Sequence, residues 1–240
     1  NSTLLQVESF SNEKKVVILV ENRIDIDKGD GMVSDANQMI YMDHAATTPV
    51  SPEAVAAMEP YHSKVFGNPS SLYSIGQSAR KALDEARERV AGVLGARPDE
   101  IIFTSGGSES NNTALLGSVL GLGVKDVDII TSAAEHHSIL YSCRLLQRLG
   151  YSVTILPVDE FGTVKPGRVI PNLTHGVGIV SIMLANNEIG TIQPIREISD
   201  QIKALHRNPN APIIVHTDAV QAPGFLSVDV VASLRCSALP

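Results

Sequence analysis

Ile101-Ile102-Phe103-Thr104-Ser105-Gly106-Gly107-Ser108-Glu109-Ser110-Asn111 is the stretch on which the fold turns. A short apolar run ends in a Thr-Ser-Gly-Gly-Ser turn, and residues 109–119 then read as a helix. Strand (101–104), glycine turn and helix in direct succession open an α/β unit. The pattern continues downstream. Residues 128–132, 153–158, 178–184 and 213–217 read as strands, and 135–149 and 194–206 as helices. The strand runs are unalternated and rich in Val and Ile, as strands buried on both faces are. Alternation of such strands with helices predicts an α/β domain with a mostly parallel sheet flanked by helices. Upstream, Ser51-Pro52-Glu53 is a helix start: a capping serine, proline at the first position and an acid in the first turn. A long helix is predicted over 76–94, with Ala79, Ala82, Leu83, Ala86 and Val90 on one stripe.

Residues 1–40 differ in character. Val16–Val20 reads as a strand and 25–35 as an acidic, glycine-rich loop, with no recognisable chemistry. Asn1 is not an initiator, and Met32 and Met39 are candidate starts. The expected division is an extension over 1–40, an α/β domain over 41–230 and a divergent tail over 231–240.

The bulk properties narrow the function classes. Hydrophobic residues make up 43% of the 240 and charged residues 19%, so a core can form. The net charge is -7, with no basic stripe for a nucleic acid. The charges over 84–89 alternate in sign and read as a solvated helix face. Cys143 and Cys236 are far apart and fit no metal-ligand spacing, so a reducing compartment is expected: the cytoplasm, or the mitochondrion in a eukaryote. No apolar run reaches the roughly 18–20 residues that cross a membrane.

In open α/β sheets ligands bind beyond the carboxyl ends of the strands, so the polar residues there carry the functional reading. Free N–H groups at Gly106-Gly107 and the Ser108 hydroxyl make an anion site suited to phosphate. The alternative is a tight turn with serine as cap. Neither a Walker loop nor a dinucleotide fingerprint is present. Glu135-His136-His137 ends the next strand. A histidine there can stack on a planar group or carry a proton. Adjacent histidines do not share a helix face, so no metal pair is expected. Asn186-Asn187 ends another strand and reads as a ligand contact or as an Asx turn. Asp218, with Gln221 three residues on, ends the last. A buried aspartate is costly unless it meets a cation, and the protonated ring nitrogen of pyridoxal 5'-phosphate (PLP) is one. One planar, phosphate-bearing ring accounts for all four places.

These motifs, with Tyr41-Met42-Asp43-His44-Ala45-Ala46-Thr47-Thr48-Pro49 and Gly67-Asn68-Pro69-Ser70-Ser71, occur in an order that resembles the class V aminotransferase-like proteins. Within that group the chain looks most like cysteine desulfurases of the NifS/IscS type, over residues 41–229. The resemblance implies the large domain of a fold-type I PLP-dependent transferase and a homodimer. It implies an enzyme that takes sulfur from L-cysteine, releases L-alanine and passes the sulfur to an iron–sulfur scaffold or another acceptor. By position, Gly107 and Ser108 would hold the phosphate. His136 would stack on the ring and act in proton transfer. Asn187 and Gln221 would contact the ring oxygen, and Asp218 the ring nitrogen. No metal is implied.

The family's Schiff-base lysine lies in a Ser-x-His-Lys segment beyond that aspartate, whereas the last lysine here is Lys203. Val228-Asp229-Val230 still matches, and 231–240 departs. A frameshift, an alternative splice or a shortened form would each produce this. The expectation is an incomplete domain, inactive alone, with Cys236 a plain thiol rather than the persulfide carrier and Cys143 packed on its helix. Two other readings share the front motifs: a selenocysteine lyase, and a non-catalytic isoform that binds a partner subunit.

Overall fold

The structure is a computed structural model that describes residues 3–9, 16–20, 40–123, 125–174, 177–205 and 213–228. The expectations for 25–35, Met32, Met39, Asp229, Val230, Cys236 and 231–240 lie outside these residues. The strands are β1 Thr3–Ser9, β2 Val16–Val20, β3 Ile101–Phe103, β4 Asp128–Ser132, β5 Ser152–Leu156, β6 Gly178–Ser181 and β7 Ile213–Asp218. They form one sheet in the order β3-β2-β1-β7-β6-β4-β5. The β4–β5, β4–β6, β6–β7 and β2–β3 pairs are parallel. Only β1 runs against its neighbours, β2 and β7. The sheet is therefore mostly parallel, as the alternation of strands and helices predicts. Val16–Val20 is the strand expected there; β1 was not foreseen.

The helices are α1 Pro52–Ser63, α2 Ser74–Leu94, α3 Gly107–Asn112, α4 Ser118–Leu122, α5 His137–Arg148 and α6 Ile195–Leu205. The serine cap of α1 forms as read: the Ser51 hydroxyl accepts from the Ala54 N–H at 3.3 Å and donates to Glu53. The helix expected over 109–119 lies within a continuous helical run from Gly107 to Leu122. A π-helical turn, Thr113–Gly117, joins α3 to α4.

Side chains of consecutive strand residues point to opposite faces, and this sorts the core into two layers. Ile129, Ile179 and Ile214 pack on one face with Leu115, Val119, Ile139, Cys143 and Leu146 of the Gly107–Leu122 segment and α5. Ile130, Val180, Ile213 and Val215 pack on the other with Ile195, Ile198 and Ile202 of α6. Each fully buried isoleucine is worth about 1.5–3 kcal/mol, so β4, β6 and β7 are the cohesive centre. They are buried along their whole length, whereas β5, at the sheet edge, exposes Ser152 and Ile155. Expected double burial thus holds for β4, β6 and β7 and not for β5.

The long helix α2 forms, but its stripe is not its anchor. Ala79, Ala82, Leu83 and Val90 are half-buried and Ala86 is exposed; the buried positions are Gly76, Ala91 and Leu94. At its start, backbone packs on backbone. A Cβ on Gly76 would lie 2.7 Å from the carbonyl oxygens of Asn68 and Ser71, and one on Gly67 would lie 2.4 Å from that of Ile75. The Gly67–Ser71 motif is thereby seated on α2. The charged face is solvated as expected, with i,i+4 pairs Arg80–Asp84 and Lys81–Glu85. No described helix is long and apolar enough to cross a membrane.

Candidate functional site

Strands β3, β4, β6 and β7 end in the four polar segments singled out from the sequence. Beyond β3, the turn opens α3 at Gly107. The carboxylate of Glu109 reaches back to accept from the Ser105 N–H at 2.6 Å and the Ser105 hydroxyl at 2.5 Å. Ser105 is therefore engaged, and the first-turn donors of Gly107 and Ser108 remain for a ligand. Ser108 is exposed, and a Cβ on Gly106 would meet nothing within 4 Å. The turn thus has open space in front of it.

Beyond β4, Glu135 turns inward and His136 outward. Glu135 is buried; its Oε1 accepts from the Ser132 hydroxyl at 2.6 Å and from the Met183 N–H at 3.0 Å. Burial pushes this carboxyl up to about 8, against the pull of those two donors, and the charge of Asp218 adds to the rise. Asn186 joins the same two loops by donating to the Ala134 carbonyl at 2.9 Å. Its own oxygen accepts from Glu188 and Ile189 N–H groups, so Asn186 makes the Asx turn. Asn187 is half-buried beside it. His136 is exposed and caps α5: its Nδ1 accepts from the Ser138 N–H at 3.2 Å and lies 2.8 Å from Ser138 Oγ.

Beyond β7, Asp218 is only 4% exposed. It accepts from Asn111 Nδ2 at 2.9 Å and from the Val220 N–H at 3.0 Å. Burial raises its pKa, opposed by these two donors and then by the charge of His136. No lysine or arginine among the described residues neutralises it. Gln221 donates to the Ala45 carbonyl at 3.4 Å, which brings the Tyr41–Pro49 motif to the same end of the sheet. Next to Asp218, His216 is buried; its Nδ1 lies 2.8 Å from Ser181 Oγ across the β6–β7 pair. Burial lowers its pKa to about 3, so it is neutral.

Hydrogen bonds bring His136 and Asp218 to one place through Asn111, which also donates to Ser138 at 2.7 Å. Asn111, Ser138 and Glu135 were not singled out as site residues from the sequence. Asn111 lies 107 positions from Asp218, and no local pattern announces such a pairing. Glu109 was legible: an acid at the third helical position reaches back over a helix start. Cys143 is fully buried, and burial with the nearby Glu135 pushes its thiol up to about 12. It is packed, as read, and far from nucleophilic.

A sequence model of the family "Aminotransferase class-V" matches residues 40–236. The chain belongs to that family. Its relatives include a "Cysteine desulfurase IscS" of Methanosarcina thermophila, 48% identical over 198 residues, which are 82% of this chain and 48% of that protein. One of the same description from Dictyoglomus turgidum is 48% identical over 80% of this chain and 47% of its own length. This chain thus spans about half the length of the curated relatives it matches. Among solved structures, a "NIFS-LIKE PROTEIN" superposes with a TM-score of 0.74 at 34% identity, covering 80% of this chain and 52% of that one. Another, "SspA in complex with cysteine", gives 0.73 at 36% identity over 79% of this chain and 53% of its own. The resemblance to NifS/IscS-type cysteine desulfurases holds, and the α/β fold with helices on both sides of a mostly parallel sheet is theirs.

Proposed function

We propose that the ends of β3, β4, β6 and β7 form a PLP site, and that the chain carries the cofactor-binding half of a cysteine desulfurase acting on L-cysteine. One observation carries this reading. Asp218 is a buried carboxylate held by two N–H donors, with no lysine or arginine among the described residues to neutralise it. Burying such a group is costly unless a cation meets it, and a protonated ring nitrogen does so. The rest of the donor set fits the same group. Gly107 and Ser108 offer first-turn donors to a phosphate, and exposed His136 offers a flat ring for stacking. Asn187 and Gln221 are amides at the right strand ends for a ring oxygen. Asn111 Oδ1 is buried without a partner, as expected where a ligand completes a polar site.

When bound, PLP supplies an electron sink for bond breaking at the substrate's α-carbon. The chain's own residues do the holding. Asp218 keeps a proton on the ring nitrogen, His136 orients the ring and carries a proton at Nε2, and the α3 turn fixes the phosphate. The Schiff-base lysine and persulfide cysteine implied by the resemblance have no counterpart by motif within these residues. The parent enzyme would work as a homodimer in the cytoplasm, passing sulfur to an iron–sulfur scaffold or another acceptor. The division at residue 40 belongs to the same proposal, since the family match starts there.

Titration with PLP, followed by its own absorbance and by competition with inorganic phosphate, tests the site. Saturable uptake that phosphate displaces supports it. Uptake that never saturates and ignores phosphate counts against it. Release of alanine from L-cysteine by the full-length enzyme tests the reaction.

A further inference from the structure

Asn111, Ser138, His136 and Asp218 form one continuous hydrogen-bonded chain, in which Asn111 donates outward to both sides. Asn111 is 1% exposed and spends both amide protons: one on Asp218 Oδ2 at 2.9 Å, the other on Ser138 Oγ at 2.7 Å. A carboxylate accepts only, so the amide nitrogen must face it. Ser138 Oγ, having accepted from Asn111, has its own proton free for His136 Nδ1, 2.8 Å away. The Ser138 N–H donates to the same nitrogen at 3.2 Å, capping α5. Two donors therefore face Nδ1, and the proton of the neutral ring is left to Nε2.

We propose that Ser138 and Asn111 are positioning residues that lock neutral His136 in its Nε2–H form and fix its ring relative to Asp218. The inference rests on the PLP reading for its purpose: the stacking group and the group facing the ring nitrogen would be held in one frame before any ligand arrives. Its geometry does not depend on that reading. Ser138 acts through His136, and Asn111 through Ser138 and Asp218. Preorganisation of this kind removes an ordering cost from binding.

The test is the tautomer of His136 in the ligand-free protein, read from long-range proton–nitrogen correlations of the histidine rings at a pH where the ring is neutral. The His136→Gln variant assigns the signal. Nε2–H with an acceptor Nδ1 is expected in the wild type. Ser138→Ala should move the tautomer ratio about fivefold toward Nδ1–H, the size of one lost hydrogen bond, and Ser138→Thr should restore it. Asn111→Ala should move it the same way without touching the ring, since the Ser138 oxygen is then free to accept. Circular dichroism confirms that each variant is folded. A wild-type Nδ1–H form, or a ratio unchanged in Ser138→Ala, overturns the proposal. Failure of the wild type to bind PLP would sink the cofactor reading and leave the tautomer result standing.

Discussion

Replacing Glu135 by glutamine should flatten the pH dependence of stability. The carboxyl is buried, accepts from Ser132 and Met183, and is pushed from 4.5 up to about 8, chiefly by burial. Between those values the folded chain holds a proton that the unfolded chain has lost. Stability therefore falls as pH rises through that window, and levels off above it. Each pH unit is worth about 1.4 kcal/mol, so the full loss approaches about 5 kcal/mol. That is comparable to the whole stability of many domains. Glutamine keeps an acceptor for the Met183 N–H and offers an amide to the Ser132 oxygen, but it does not titrate. Urea unfolding followed by circular dichroism at pH 5, 6, 7 and 8 reads the effect. The wild type should lose stability relative to Glu135→Gln by about 3.5 kcal/mol between pH 5 and 8. Taking the difference cancels groups common to both. Parallel curves would refute the reasoning, because they would mean that the two donors keep the carboxylate charged throughout.

The glycines of α2 give a paired prediction. Gly76→Ala should cost about 1–3 kcal/mol, because its Cβ would meet backbone oxygens of Asn68 and Ser71 at 2.7 Å. Gly92→Ala, where a Cβ meets nothing within 4 Å, should stabilise by about 0.5–1 kcal/mol through helix propensity; chemical denaturation separates the two signs. In a Cys236→Ser background, Cys143 should resist thiol reagents at pH 8 until the chain unfolds. With its thiol pushed up to about 12, only about one molecule in ten thousand is thiolate there. Prompt labelling under native conditions would contradict its burial.

Much of the fold was legible because the inner strands are continuous Val/Ile runs and their helices carry caps. Ser51-Pro52-Glu53 fixed the start of α1 within a residue. Less legible was whatever depends on a distant partner. β1 pairs with β7, far along the chain, and its sequence carries no mark of that pairing. The half-burial of the α2 stripe likewise depends on what covers it, not on its own spacing. The site divides the same way. Strand ends advertise themselves, since polar residues following a buried run need a reason to be there, and Gly107, His136, Asn187 and Asp218 were found so. The groups that link those ends act across tens to hundreds of positions: Asn111 to Asp218, Glu135 to Met183, Gln221 to Ala45. Chain order records none of these contacts. Asn186 shows the limit from the other side, as one of two similar amides that only the structure separates into turn-former and candidate ligand contact.

The most direct measurement is the affinity of the ligand-free chain for PLP, by isothermal titration, in the wild type and in Asp218→Ala. The account predicts a single saturable site, weakened about tenfold to a hundredfold by the substitution, as befits loss of a charge-assisted bond in a buried setting. Equal affinity in the two proteins would contradict it, because Asp218 would then be a structural carboxylate and the ring nitrogen would lie elsewhere.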